Sequence, residues 1–156
     1  MQDEKLPIVE YKPAEAVPDS IAIYDREASL LVVNLDKPND YSGEFVDSGI
    51  VSISLDSEMA IEDFELKFCT QDCVIDDSLA LPDAVIPAKV SFLSDHGSLD
   101  LHENLTTNNN RDLVRIWCRE VPAENLLHLK VAGGVVLDVT LENELVGIWV
   151  SNVVVR

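Results

Sequence analysis

Apolar and polar residues alternate along most of this chain with a period of two, the spacing of strands that bury one face. Residues 21–24 and 29–35, joined by the polar stretch 25–28, predict a hairpin, and 50–55 with 59–68 across 56–58 predict a second. The same pattern returns at 90–93, a turn at 94–97 and 98–102, then at 135–141, Glu142-Asn143 and 144–150. Ahead of the first hairpin, residues 1–20 hold Pro7, Pro13 and Pro18, which predicts an extended arm with one edge strand around 8–11. Residues 76–88, with Pro82 and Pro87, read as a linker. Stretch 122–130 supports two readings: Pro122 suits a helix start, while Leu127, Leu129 and Val131 alternate like a strand. These elements predict a mainly β protein, antiparallel hairpins from two similar halves forming a sandwich or one continued curved sheet.

The two halves align with each other. A shift of 69 residues places 21–31 on 90–100 and matches Ser29-Leu30 with Ser98-Leu99. A shift of 85 places Gly49-Ile50-Val51 on Gly134-Val135-Val136, and Ile61 and Phe64 on Val146 and Trp149. The difference puts 16 extra residues between the two hairpins of the second copy. The chain then divides into an arm (1–20), a first β repeat (21–75), the linker (76–88) and a second repeat (89–156), together one compact domain. Gly49, Gly133 and Gly134 stand where a loop enters a strand and are read as supplying positive φ. Asp25 and Glu27 suit a turn in which a side chain accepts backbone N–H groups.

The stretch Tyr24-Asp25-Arg26-Glu27-Ala28-Ser29-Leu30-Leu31-Val32-Val33-Asn34-Leu35 resembles the opening of a small bacterial family, domain of unknown function 2283. Its closing element resembles Asp47-Ser48-Gly49-Ile50-Val51, and again Gly134-Val135-Val136-Leu137-Asp138 with Leu145-Val146-Gly147-Ile148. The second copy departs from the opening motif, with Ser94-Asp95-His96-Gly97 in its place, and Glu62 stands where Gly147 fits the pattern. The resemblance implies two diverged tandem copies of a small antiparallel β unit. It carries over no catalytic residues, because the family has no established activity. Some members neighbour small toxin-like proteins, which implies a binding role.

Composition narrows the function. A chain of 156 residues with 47% apolar and 26% charged residues can build one real core. Its 29 acidic residues against 11 basic ones, a net charge of −18, disfavour nucleic acid and anionic membranes as partners. No apolar run is long enough to span a bilayer, and the charged start lacks the apolar core of a signal peptide. Three cysteines, Cys69, Cys73 and Cys118, imply no disulfide framework, so a cytoplasmic location is expected. Cys69 and Cys73 alone are half a metal site and are read as small buried residues, so no metal is expected. No glycine loop for phosphates and no H-E-x-x-H helix is present, so no cofactor is expected. His96, His102 and His128 are scattered, and Asn104-Leu105-Thr106 is a glycosylation sequon that matters only on secretion.

The most informative stretch is 111–119. Read as a strand, its odd positions place Arg111, Arg115 and Arg119 on one face with Leu113 and Trp117. One reading makes Arg111, Arg115, Trp117 and Arg119 a binding surface for a protein or an anion, with Trp117 as anchor. The other has Arg stems covering an apolar face, stacking on Trp117 and pairing with acids. The charge divides unevenly, −14 in residues 1–78 and −4 in 79–156, so an acidic first copy and an Arg-bearing second copy could meet, within a chain or in a homodimer. The expected function is a non-enzymatic protein-binding or assembly module. Two alternatives are a small hydrolase or metal-dependent enzyme with its site between the halves, and an antitoxin-like partner of a basic protein.

Overall fold

The structure, a computed structural model, describes residues 6–47, 50–93 and 105–156. Its strands are β1 (Val9–Pro13), β2 (Ser20–Asp25), β3 (Leu30–Leu35), β4 (Tyr41–Asp47), β5 (Val51–Asp56), β6 (Ile61–Lys67) and β7 (Val74–Ile75). They continue as β8 (Ile86–Phe92), β9 (Leu105–Thr107), β10 (Val114–Trp117), β11 (Leu126–Ala132), β12 (Val135–Thr140), β13 (Leu145–Val150) and β14 (Val154–Val155). One sheet has eight strands in the order β1-β8-β11-β12-β13-β10-β9-β7, and the other has six, β14-β2-β3-β6-β5-β4. The protein is all-β and sandwich-like, as the alternation predicts. One buried cluster joins Leu31, Ile53 and Phe64 from the smaller sheet with Ile116, Leu137 and Ile148 from the larger. Burying each such side chain contributes roughly 1.5–3 kcal/mol. Three pairs are parallel (β8 with β11, β7 with β9, β14 with β2), so the sheets are mixed rather than purely antiparallel.

The chain is a repeat, at offsets different from those the sequence offers. Strands β2 to β6 lie in the order β2-β3-β6-β5-β4, and β9 to β13 in the equivalent order β9-β10-β13-β12-β11. Three consecutive strands and one returning beside them make a Greek key in each half. Tyr24 pairs with Leu31 as Thr107 pairs with Val114, an offset of 83 residues. In the closing hairpin the offset is 84, set by matching bulges at Ser54/Leu55 and Asp138/Val139. Its turns match as well: Asp56 N–H donates to Ala60 O (2.8 Å) and Thr140 N–H to Glu144 O (2.9 Å). Met59 and Asn143 occupy the same left-handed position, with φ of 62° and 65°. Asp25 Oδ1 accepts the N–H groups of Glu27 and Ala28, as the turn reading expects. Asn108 Oδ1 serves Asp112 and Leu113 N–H in the corresponding turn.

Several expectations are corrected. Residues 90–93 do not open the second copy's hairpin: 90–92 are the end of β8, which pairs with β1 and β11, and Leu93 follows it. The hairpin equivalent to β2–β3 is β9–β10, so the supposed 16-residue insertion disappears. A shift of 85 sets Phe64 on Trp149, whereas the paired register sets it on Ile148; a one-residue slip exchanges the two faces of a strand. The linker ends before residue 86, where β8 begins. The arm does supply the expected edge strand, β1 at one end of the eight-stranded sheet, and Leu6 and Val9 anchor it in the core. Stretch 122–130 resolves into a single 3-10 turn, Ala123–Asn125, followed by β11. Gly133 and Gly134 do not take positive φ. Gly134 is needed for space, since a Cβ there would lie 3.0 Å from Ser151 O and from Ser20 Oγ. The turn at 94–97, the strand at 98–102, Ser48, Gly49, His96, His102 and Asn104 lie outside the described residues.

The outer strands complete an approximate two-fold arrangement. Val9 pairs with Phe92, its own equivalent at the offset of 83. Val9 N–H donates to Asn143 O (2.9 Å) and Phe92 N–H to Met59 O (2.8 Å), one contact repeated. Each half also lends its last strand to the other sheet: β7 joins β9 at Thr106–Thr107, and β14 joins β2 at the equivalent Ile23 and Tyr24.

Candidate functional site

Strand register places two different outer faces on this pseudo-symmetric frame. On the eight-stranded sheet, one cross-strand row runs Lys130, Val136, Trp149, Arg115, Thr106, and the next runs His128, Asp138, Gly147, Trp117. Gly147 leaves the room this packing uses: a Cβ there would lie 3.1 Å from Ile116 O, 3.3 Å from Asp138 Oδ2 and 3.4 Å from Trp117 Cβ. Asp138, only 1% exposed, is the hub. Its Oδ1 accepts from His128 Nδ1 (2.6 Å) and its Oδ2 from Trp149 Nε1 (2.9 Å). With the carboxylate as acceptor, this contact calls for the His128 tautomer that carries its hydrogen on Nδ1. Arg115 Nη2 lies 4.0 Å from Asp138 Oδ2, and its guanidinium carbon sits 4.9 Å from the Trp149 ring centroid and 5.2 Å from that of Trp117. Arg115 Nε is buried without a hydrogen-bond partner. Leu79 and Val85, from the segment 76–85, pack over Leu113, Val136 and Trp149.

The four residues predicted as one stripe therefore part company. Arg115 and Trp117 share the outer face, and there the guanidinium stacks on tryptophan and faces a carboxylate, the cation-π arrangement expected of a held arginine. Arg111 sits in the turn before β10 with φ of 58° and lines a narrow cleft with Tyr24, Phe68 and Cys73. Burial pushes the Cys73 thiol up to about 11, Asp72 adds to the shift, and Arg111 opposes it. Arg119 follows the strand and bonds Glu144 Oε1 (2.8 Å). Asp138, His128 and Trp149 complete the cluster without any local motif, because only cross-strand register brings them together; the alternation of Leu127 and Leu129 was the one sign that His128 faces outward. Cys69 and Cys73 flank the 3-10 turn Thr70–Asp72; Cys69 is exposed and Cys73 half-buried.

On the six-stranded sheet the equivalent face has another character. One row runs Val154, Ile23, Val32, Glu65, Ser52, and the next runs Ile21, Asn34, Asp63, Ser54, Phe45. Glu65 stands where Trp149 stands in the second half, and Ser54 where Asp138 stands. Ile21 is 62% exposed, Phe45 55% and Val154 53%. Tyr41 Oη donates to Asp63 Oδ2. That bond, with some desolvation and the charges of Asp63 and Glu62, pushes the Tyr41 phenol up to about 12.

A cleft of about 320 Å³ lies between 14–18, β8 and the β5–β6 turn, with Lys37, Asp56, Glu58 and Lys89 as its charged lining. Lys37 Nζ bridges Asp56 Oδ2 (2.6 Å) and the buried Glu62 Oε2 (3.4 Å), so its charge is neutralised by the wall itself. Among the described residues no group of three or more His, Cys, Asp or Glu is placed to hold a metal ion, and no helix is long and apolar enough to cross a membrane. No protein-family model matches the chain, and no curated protein matches it.

Proposed function

We propose that this chain is a protein-binding or assembly module, built as two diverged copies of a unit resembling domain of unknown function 2283. The observation that carries the reading is the contrast between equivalent faces. In the second half the face is closed by the chain's own segment 76–85, through Leu79 and Val85 on Trp149. In the first half the same face presents Ile21, Phe45 and Val154 to solvent around Asp63 and Glu65. Large apolar side chains exposed beside charged ones mark surfaces that meet other proteins. The His128–Asp138 pair is better explained as the anchor of a packed face than as an acid–base pair, since Trp149 and Arg115 take up the rest of the carboxylate. The excess of acid favours a protein partner over nucleic acid or an anionic membrane, and three cysteines, too few and too scattered for a disulfide framework, go with a cytoplasmic location.

Sedimentation velocity of the full chain, alone and with a partner recovered by cross-linking in its native cells and then purified, tests the reading. The expected result is a stoichiometric complex that re-forms from pure components. A chain that stays monomeric and yields no partner that rebinds refutes it.

A further inference from the structure

Resting on that reading, we infer that the outer face of the six-stranded sheet binds a basic, extended segment of another protein. Its apolar side chains seat on Ile21, Ile23, Val32 and Val154, and its Lys or Arg side chains pair with Asp63 and Glu65.

The cross-strand rows set this layout. Ile23 and Val32 are directly paired, Val154 stands beside Ile23, and Glu65 stands beside Val32 on the next strand inward. An apolar strip at the β14–β2–β3 side thus abuts a carboxylate strip on β6. A segment lying across the strands meets both within one pass. The second half demonstrates the mode: there the equivalent face takes an irregular segment, 76–85, that lays Leu79 and Val85 on Leu113, Val136 and Trp149. No described segment lies over Ile21 or Val154, which remain more than half exposed.

Charge selects the occupant. Residues 1–78 carry a net −14; Lys67 stands one row from Glu65, opposite Leu30, and Arg26 and Arg156 stand together at the β14 end of the strip. A second copy of the chain brings −18 of its own, and its Arg115 already faces Asp138. A basic partner gains attraction on approach as well as on contact, whereas an acidic one is repelled.

The experiment uses isotopically labelled full-length protein and two synthetic peptides of about twelve residues, long enough to cross a sheet face. One alternates Val with Lys and the other Val with Glu; amide shifts are followed during titration at low and at moderate salt. The Lys peptide is expected to shift β2, β3, β6 and β14 and to weaken with salt, and the Glu peptide to leave them unmoved. Glu65→Lys is expected to weaken binding about tenfold, the effect of losing and reversing one contact charge, and Ile21→Ser several-fold. Glu124→Lys, exposed at the 3-10 turn before β11, makes the same charge change elsewhere and is expected to leave binding within about twofold. Unchanged amide spectra outside the face show that the variants are folded. Shifts confined to the Arg115–Trp117 face or to β1 overturn this assignment and leave the binding-module reading intact. Equal binding of both peptides, or binding of neither, overturns it, as do concentration-dependent shifts of this face without peptide, which assign it to a second copy.

Discussion

Replacing Asp138 tests whether the outer face of the larger sheet is held from a single buried carboxylate. Asp138→Ala removes the acceptor of Trp149 Nε1, whose side chain is buried, and an unsatisfied buried donor costs about 1–3 kcal/mol. It also removes the partner of His128, worth about 1 kcal/mol. Arg115 loses its counter-charge, but at 4.0 Å and with the side chain 30% exposed this adds less than about 1 kcal/mol. The total is about 3 kcal/mol, at the lower edge of what breaking a buried charged pair costs. Asp138→Asn keeps an oxygen for Trp149 and is expected to cost about 1 kcal/mol. Ser54→Ala, at the equivalent position of the first half, is expected to change stability by no more than about 0.5 kcal/mol. Urea unfolding read by tryptophan fluorescence gives all three values by linear extrapolation. A loss below about 1 kcal/mol for Asp138→Ala, or a coupling with Trp149→Phe near zero in a double-mutant cycle, refutes the hub.

Three further outcomes follow from local geometry. Cys69 is exposed while burial pushes the Cys73 thiol up to about 11, so a thiol reagent near pH 8 is expected to modify Cys69 first and Cys73 chiefly after unfolding; comparable rates in Cys69→Ser and Cys73→Ser proteins contradict the burial of Cys73. Ultraviolet titration is expected to show one tyrosine ionising near pH 12, returning toward 10 in Asp63→Asn. Because the folded value lies above the unfolded one, this group's contribution to stability is complete below about pH 10 and is lost as pH rises toward about 12. Asn143 sits at φ of 65°, so Asn143→Val is expected to destabilise by about 1–2 kcal/mol, while Glu142→Val beside it stays near neutral; equal thermal midpoints for the two variants would be incompatible with the turn described.

The hairpins were legible because one buried face forces period-two alternation, as in Leu31 and Val33 or Leu137 and Val139. The repeat was legible too, since both closing hairpins need the same bulge and left-handed turn, but its register was not. Phe64 and Trp149 are both large and apolar, and composition alone matches them; pairing shows that Phe64 faces the core and Trp149 the outside. Strands β9 and β10 span only three and four residues, too few to outweigh the alternation of the seven-residue β8, within which residue 90 lies. Of the candidate site, Arg115 and Trp117 could be read from spacing within one strand. Asp138, His128 and Trp149 come from three other positions along the chain, and nothing local marks them as neighbours. Arg111 and Arg119 fell outside because β10 runs only from Val114 to Trp117, and alternation does not govern where a side chain points beyond either end of the strand.

The exchange of closing strands has a consequence for synthesis. The first half reaches its last antiparallel strand at Lys67, yet its opening strand β2 acquires its outer neighbour only when Val154–Val155 arrive. Arg156 O then accepts the Nε–H of Arg26, across a separation of 130 residues. While the chain is still growing from a ribosome, the first half therefore waits with an open strand edge, the kind of edge that recruits stray strands. The first half is latched by a strand of the second. Its vulnerable interval is set by translation time, and a chain cut before Val154 leaves that edge permanently open even though nearly all of the core residues are present.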